Sequence, residues 1–261
     1  MKLYLAPLEG ITNHIYRKAL YQCFGGFDKY FIPFIRAKQN LNFSGREKKD
    51  ISPENNLGMY AVPQILTKNA DDFLQTANQL REYGYQEVNL NLGCPSKTVV
   101  TKGCGAGFLD RPEELERFLD KIFSGTDMRI SVKTRLGMED AEGFPHLMEI
   151  YNRFPMEELI IHPRVQKDFY KNIPDLEVFG EAMACSRHPV CYNGDIFSSG
   201  DFRTISERFS DVERFMMGRG VLANPSLARE IRGGKAADQQ DIRHFHDILY
   251  HTYCEEVSGD R

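Results

Sequence analysis

The chain has 261 residues, of which 41% are hydrophobic and 27% charged, and its formal net charge is −4. That length suits one large domain or two small ones, and the mix is that of an ordinary soluble globular protein. No global basic field is present to attract nucleic acid, so any such binding must come from a local patch.

The opening MKLYLAPLEG has too short an apolar run for a signal peptide. No stretch approaches the roughly 18 apolar residues of a membrane span. The cysteines Cys23, Cys94, Cys104, Cys185, Cys191 and Cys254 are scattered without paired spacing. Reduced thiols in a cytoplasmic protein are therefore expected. Without a CxxC pair no zinc site is expected, and no other metal, membrane or subunit partner is called for. A monomer is the expectation.

Short β-rich runs recur in chain order. They are LYLAPL (3–8), KYFIPFI (29–35), AVPQIL (61–66), EVNLNL (87–92), ISVKTRL (130–136), ELIIHPR (158–164), VCYNGD (190–195) and RFMMGRG (214–220). Helical periodicity fills the gaps, as in 71–84, 112–123 and 144–154. Pro112 suits a first helical turn and Gly84 a helix stop. Alternating strand and helix implies a parallel sheet, and eight such units predict a (β/α)8 TIM barrel of the α/β class. An open doubly wound sheet is the alternative, but no GxGxxG follows the first strand. The barrel is expected over 1–230, closed by a helix in ANPSLAREIRGG. A helical extension follows over 231–261, with an amphipathic helix at 241–257.

Active sites of such barrels lie at the C-terminal ends of the strands. Those ends carry Pro7-Leu8-Glu9, Arg36, Gln64, Asn91 with Cys94, Lys133 with Arg135, His162 with Arg164, Asn193-Gly194-Asp195 and Gly218-Arg219. Any one of them is as easily explained as a polar group satisfied by its neighbours. Glycine-containing ends on strands seven and eight suit a phosphate site, with Arg219 as a charged fork. Lys133 reads either as half of a buried ion pair with Glu9 or Asp195, or as a Schiff-base lysine or a cation beside an electron-rich cofactor. His162 reads as a satisfied histidine at a barrel mouth or as a donor to cofactor or substrate. Cys94 ends a strand where Pro95 forces the chain to turn. There a thiol could be nucleophile, metal ligand or general acid, or merely a small strand-end residue. Asn91, three residues earlier, could reach the same pocket and suits the edge of a pyrimidine ring.

The motifs APLEGITNHIYRKAL, NLNLGCPSKTVVTKGCGAGFL, SVKTRLG, IIHPR, YNGDI and MMGRG, in that order over residues 3–227, resemble the tRNA-dihydrouridine synthases. The resemblance implies FMN at the mouth of a (β/α)8 barrel, NADPH as electron donor and tRNA as partner. It implies reduction of the C5=C6 bond of selected uridines, with hydride going from flavin N5 to C6 and a proton from Cys94 to C5. Pro7, Leu8 and Glu9 would line the flavin, with Gln64 near its ring. Lys133 and His162 would hydrogen-bond the isoalloxazine, and Asn193, Gly194, Asp195, Gly218 and Arg219 would hold the ribityl chain and phosphate. Asn91 and Arg164 would meet the uracil, and the loop with Lys97 and Lys102 would close on the flipped-out nucleotide. Leu8 stands where the family often has methionine, a near-isosteric exchange. Residues 231–261 hold four Lys/Arg against six Asp/Glu, whereas the family ends in a tRNA-gripping helical domain, so this segment reads as a truncated form of it.

A basic rim offers compensation: Arg36, Lys38, Arg46, Lys48 and Lys49 after strand two, Lys97 and Lys102 after strand four, and Arg164, Lys167 and Lys171 after strand six. Phe31, Phe34, Phe43, Phe169 and Tyr170 are interleaved as stacking surfaces. Solvated charge around a barrel rim is the plainer explanation. Two other functions fit the same motifs: an FMN barrel that oxidises or reduces a free pyrimidine, and an RNA-binding barrel without turnover. The rim argues against the first, and Cys94 with Lys133 against the second.

Overall fold

A computed structural model describes residues 1–37 and 42–258. Eight parallel strands close into a barrel in simple sequence order. They are β1 (Lys2–Leu5), β2 (Lys29–Arg36), β3 (Ala61–Leu66), β4 (Glu87–Leu92), β5 (Arg129–Arg135), β6 (Leu159–His162), β7 (Val190–Tyr192) and β8 (Arg214–Met217). β8 pairs with β1 to complete the ring. Around it run α1 (His14–Cys23), α2 (Gly45–Ile51), α3 (Ala70–Glu82), α4 (Lys97–Val100), α5 (Pro112–Ser124), α6 (Phe144–Tyr151), α7 (Leu176–Cys185) and α8 (Ser199–Arg208). Where the run RFMMGRG reads as strand, the chain already turns into a short helix, α9 (Arg219–Ala223); the closing helix expected in ANPSLAREIRGG is the short α10 (Leu227–Ile231), and Asn224 is extended between the two. Last comes α11 (Gln239–Ser258).

Strand side chains alternate between faces, so one parity fills the barrel lumen and the other packs under the helices. In β4, Val88, Leu90 and Leu92 join the large core beneath the helices, which leaves Glu87, Asn89 and Asn91 for the lumen. The lumen fills in layers drawn from alternate strands. At the N-terminal mouth Lys29, Glu87, Glu158 and Arg214 form an ionic layer: the Lys29 ammonium lies 2.8 Å from both Glu87 and Glu158, and Arg214 lies 3.3 Å from Glu158. Above it sits an apolar cluster that includes Tyr4, Phe31, Val62, Ile160, Cys191 and Met216. The alternation then puts Gln64, Lys133 and Asn193, and next Asn91 and His162, at the C-terminal mouth. The active face is thus the polar upper end of a lumen whose middle is greasy and whose lower end is ionic.

α11 lies along the barrel rather than apart from it. Phe245 is buried edge-on between Tyr16 and Phe24 of the α1 region, with ring centres 5.7 and 5.4 Å away. Among the described residues no helix is long and apolar enough to cross a membrane, and no group of three or more His, Cys, Asp or Glu is placed to hold a metal.

Candidate active site

A cleft of about 470 Å³, open to solvent, occupies the C-terminal mouth. It is lined by Ala6, Pro7, Leu8, Lys133, His162, Tyr170, Asn193, Gly194, Asp195, Phe197, Gly218, Arg219 and Gly220. Nine of the eleven residues expected to hold a cofactor therefore converge there. The two that do not are Glu9 and Gln64. Gly10, at φ +77, and the hydrogen bond from the Leu8 N–H to Thr12 Oγ1 turn the chain so that Glu9 faces solvent, 3.7 Å from Arg36. Gln64 is buried within a chain of amides.

That chain decides where Cys94 stands. Ser131 Oγ accepts from Asn89 Nδ2, Asn89 Oδ1 accepts from Gln64 Nε2, and Gln64 Oε1 accepts from Asn91 Nδ2, at 2.9, 2.7 and 2.7 Å. Asn91 Oδ1 then accepts both the Gly93 and Cys94 N–H groups, at 3.0 and 2.9 Å. Asn91, placed at the uracil by the sequence reading, thus spends its oxygen capping the turn below Cys94. Arg135 holds the same turn from the other side. Its Nε donates to Gly93 O, and its two terminal nitrogens donate to Val165 and Phe169 carbonyls, so it ties the loop after β4 to the loop after β6. Phe169 is the one non-glycine residue with positive φ among those described, at +50°. This strained position delivers Tyr170 to the cleft wall.

The Cys94 thiol is half-buried and its pKa is raised, chiefly by burial; Glu9 adds to the rise, while a hydrogen bond from Ser96 and the charges of Arg36 and Arg135 oppose it. It therefore remains protonated at neutral pH. Lys133 is pushed down to about 7, first by burial and then by the charge of Arg135. Among the described residues its ammonium makes no hydrogen bond or ion pair, so neither Glu9 nor Asp195 is its partner. His162 is held far below the ordinary histidine value, by burial and then by Arg135, Lys133, Arg164 and Arg219. It is neutral. Its Nε2 lies 3.0 Å from Arg164 Nη1, and a guanidinium can only donate, so the imidazole proton sits on Nδ1.

Arg164, also placed at the uracil by the sequence reading, is only 2% exposed. Its donors go to His162, to Asn172 O and to both oxygens of Asp195. Asp195 accepts from Arg219 as well, whose guanidinium stacks on Tyr170 and Phe197, 4.5 and 5.4 Å from the ring centres. Lys97 is exposed at the start of α4.

The rest of the expected rim is uneven. Lys49 pairs with Glu256 and Lys167 with Glu139. Phe31 lies inside the lumen and Phe43 in the core, so neither offers a stacking face. Lys38 lies outside the described residues. Sequence reasoning missed Phe197 and the bridging role of Arg135. The signals were an aromatic just past the NGD turn and a second cation two residues after Lys133, on the same face of β5.

A model of one family, described as dihydrouridine synthase, matches residues 4–256. The chain belongs to the dihydrouridine synthase family. A tRNA-dihydrouridine(16) synthase of Aquipseudomonas alcaligenes is 29% identical over 255 residues, spanning 92% of this chain and 78% of that protein. tRNA-dihydrouridine synthase B of Pasteurella multocida is 24% identical over 229 residues, spanning 87% and 68%. The fold is also that of an old yellow enzyme homologue from Zymomonas mobilis, with a TM-score of 0.65 at 10% identity over 92% of this chain and 91% of that one. Histamine dehydrogenase from Rhizobium sp. 4-9 superposes with a TM-score of 0.67 at 12% identity, over 95% of this chain and 46% of that one. Dihydrouridine synthesis is an oxidoreductase reaction.

The cleft suits a flavin mononucleotide. A side chain on Gly218 would stand 3.3 Å from the Ala6 Cβ, so the wall there is bare backbone, and α9 begins beside it. The first N–H groups of a helix lack intrahelical acceptors and favour an anion, with Arg219 adding charge. Lys133, without a counterion among the described residues, and neutral His162 line the same space.

Proposed function

We propose that this chain is a flavin-dependent tRNA-dihydrouridine synthase that uses NADPH as its electron source and reduces the C5=C6 bond of a uridine in tRNA. The observation that carries this reading is a protonated thiol, Cys94, on a turn fixed by Asn91 and Arg135 beside a cleft with an unpartnered lysine on its floor. Bound flavin supplies the hydride. Lys133 and His162 hold its ring, with positive charge and a hydrogen bond directed at electron-rich atoms. Arg219, with Asn193, Gly194, Asp195 and Gly218, holds the ribityl chain and phosphate, while Pro7 and Leu8 cover one face.

Cys94 Sγ then gives its proton to C5 of the uracil, general acid catalysis by a group that burial keeps protonated. Asn91 acts as a positioning residue, with one N–H still free for the substrate. Arg164 orients His162 and Asp195. Lys97, exposed at the rim, is left for the RNA backbone.

An absorbance spectrum of the purified protein, followed by NADPH and then unmodified tRNA, tests the whole reading. A flavin spectrum that bleaches with NADPH and recovers faster with tRNA is expected. Recovery with free uracil or orotate but not with tRNA would favour a free-pyrimidine enzyme. A colourless protein that FMN cannot reconstitute would remove the proposal.

A further inference from the structure

Three cations outside the cleft surround the glycine-rich loop that follows Cys94. Gly103, at φ +68, sits between the loop after β3 and the start of α5. A side chain there would find the Lys68 ammonium at 3.4 Å and the Arg111 guanidinium at 3.5 Å. Two positive groups therefore crowd the same small space. Lys102 is exposed next to them. Among the described residues the Lys68 and Lys102 ammonium groups have no hydrogen bond or ion pair, and Arg111 has one long contact, 3.5 Å, to Glu114. Like charges brought together without a carboxylate between them repel, and a shared anion reverses the sign.

The cluster also sits close to the reacting thiol. Gly105 packs against Cys94, with its missing side chain 3.0 Å from the Cys94 Cβ, and the Ala106 N–H donates to Cys94 O. Cys104, between Gly103 and Gly105, feels the charges of Lys68, Arg36 and Lys102. The flavin-phosphate loops after β7 and β8 lie across the barrel mouth, so this is a separate anion site. Its members are long and exposed, as suits an extended polyanion more than one enclosed phosphate.

We propose that Lys68, Lys102 and Arg111 form a clamp for the RNA backbone, holding phosphates that flank the uridine presented to Cys94. The inference rests on the tRNA reading and adds to it the path of the strand, over the loops after β3 and β4. Gly103, with no side chain, lets the Lys68 ammonium and the Arg111 guanidinium come together over the loop.

The test is a tRNA titration of the flavin-loaded protein at several salt concentrations, comparing wild type, the Lys68→Gln/Arg111→Gln double variant and Lys18→Gln, an exposed charge change on α1. Loss of two phosphate contacts should weaken tRNA binding at least about tenfold and flatten the log–log salt slope by about 1.5, while Lys18→Gln follows wild type. Unchanged affinity or slope in the double variant, with wild-type turnover on tRNA intact, overturns the clamp alone. Slower flavin reduction by NADPH without tRNA in the double variant also overturns it, because the phosphate would then belong to the dinucleotide. A wild type that neither binds nor reduces tRNA overturns both clamp and function.

Discussion

Cys94 and Lys133 are tuned in opposite directions by the same cause. Burial disfavours charge, so the thiol keeps its proton and the ammonium tends to lose one. A thiol that must donate is served by this, and Cys94→Ala should leave flavin bound while uridine reduction falls by roughly 10²–10⁴-fold, the usual worth of a positioned acid. Single-turnover reoxidation of reduced enzyme by tRNA checks it, and an unchanged rate would remove Cys94 from the proton path. Lys133 has its folded value, about 7, below the ordinary lysine range. Its charge therefore costs stability in full below that value, and the cost fades as pH climbs toward the ordinary lysine value. In flavin-free protein, Lys133→Met should raise the melting temperature more at about pH 6 than at about pH 9, and the variant should bind flavin more weakly. Equal shifts at both pH values would mean that the ammonium is not the source.

At the scale of elements, the turn after β4 is only as firm as the amide chain beneath it. Asn91 Oδ1 caps two N–H groups, and leaving such buried donors unpaired costs about 1–3 kcal/mol each. Asn91→Ala should therefore lower kcat by about 10–100-fold with flavin content unchanged, since losing order at the thiol costs about 1.4 kcal/mol per tenfold. Normal kcat with a raised KM would instead make Asn91 a simple substrate contact. Much of this architecture was legible in the sequence. β3 and β4 run exactly where AVPQIL and EVNLNL predict, and the barrel follows from strand–helix alternation. The strict polar–apolar alternation of EVNLNL already implies that Asn89 and Asn91 share a face. Sequence does not show which neighbours use up a polar group. Asn91 and Arg164 look free in one dimension, and only the closed barrel brings Gln64, His162 and Asp195 against them. Glu9 turns outward because of a local hydrogen bond at Thr12, a tertiary detail that its motif does not reveal.

Over the whole molecule, polarity is graded along the barrel axis: ionic at the bottom, apolar in the middle, polar at the active mouth. The bottom layer serves stability and lies on the opposite end of the barrel from the chemistry. Glu158 neutralises Lys29 and Arg214 and accepts from the Tyr4 hydroxyl, so Glu158→Ala takes the carboxylate from half-buried Arg214, leaves buried Lys29 with Glu87 alone and orphans the Tyr4 hydroxyl. A loss of about 3–5 kcal/mol in denaturant unfolding with kcat retained is expected. α11 connects the two ends. It is anchored by Phe245 near the lower end of α1, and at the rim Glu256 meets His14 Nε2 at 2.7 Å and Lys49 at 3.1 Å. Asp50 lies 3.4 Å from the other ring nitrogen, and Arg17 is 3.5 Å from the same carboxylate. Burial alone would lower the His14 value, but Asp50 and Glu256 together outweigh it and raise it. A raised value means that the latch contributes fully below the ordinary histidine range and is lost as pH rises through the folded value. Hydrogen exchange over residues 250–256, corrected for intrinsic rates, should therefore be slower at about pH 6 than at about pH 8.5, and His14→Gln should abolish the difference. If wild type and variant respond to pH alike, the His14 charge contributes nothing, and the end of α11 is held by Phe245, the Lys49–Glu256 pair and the Tyr253–Asn13 hydrogen bond.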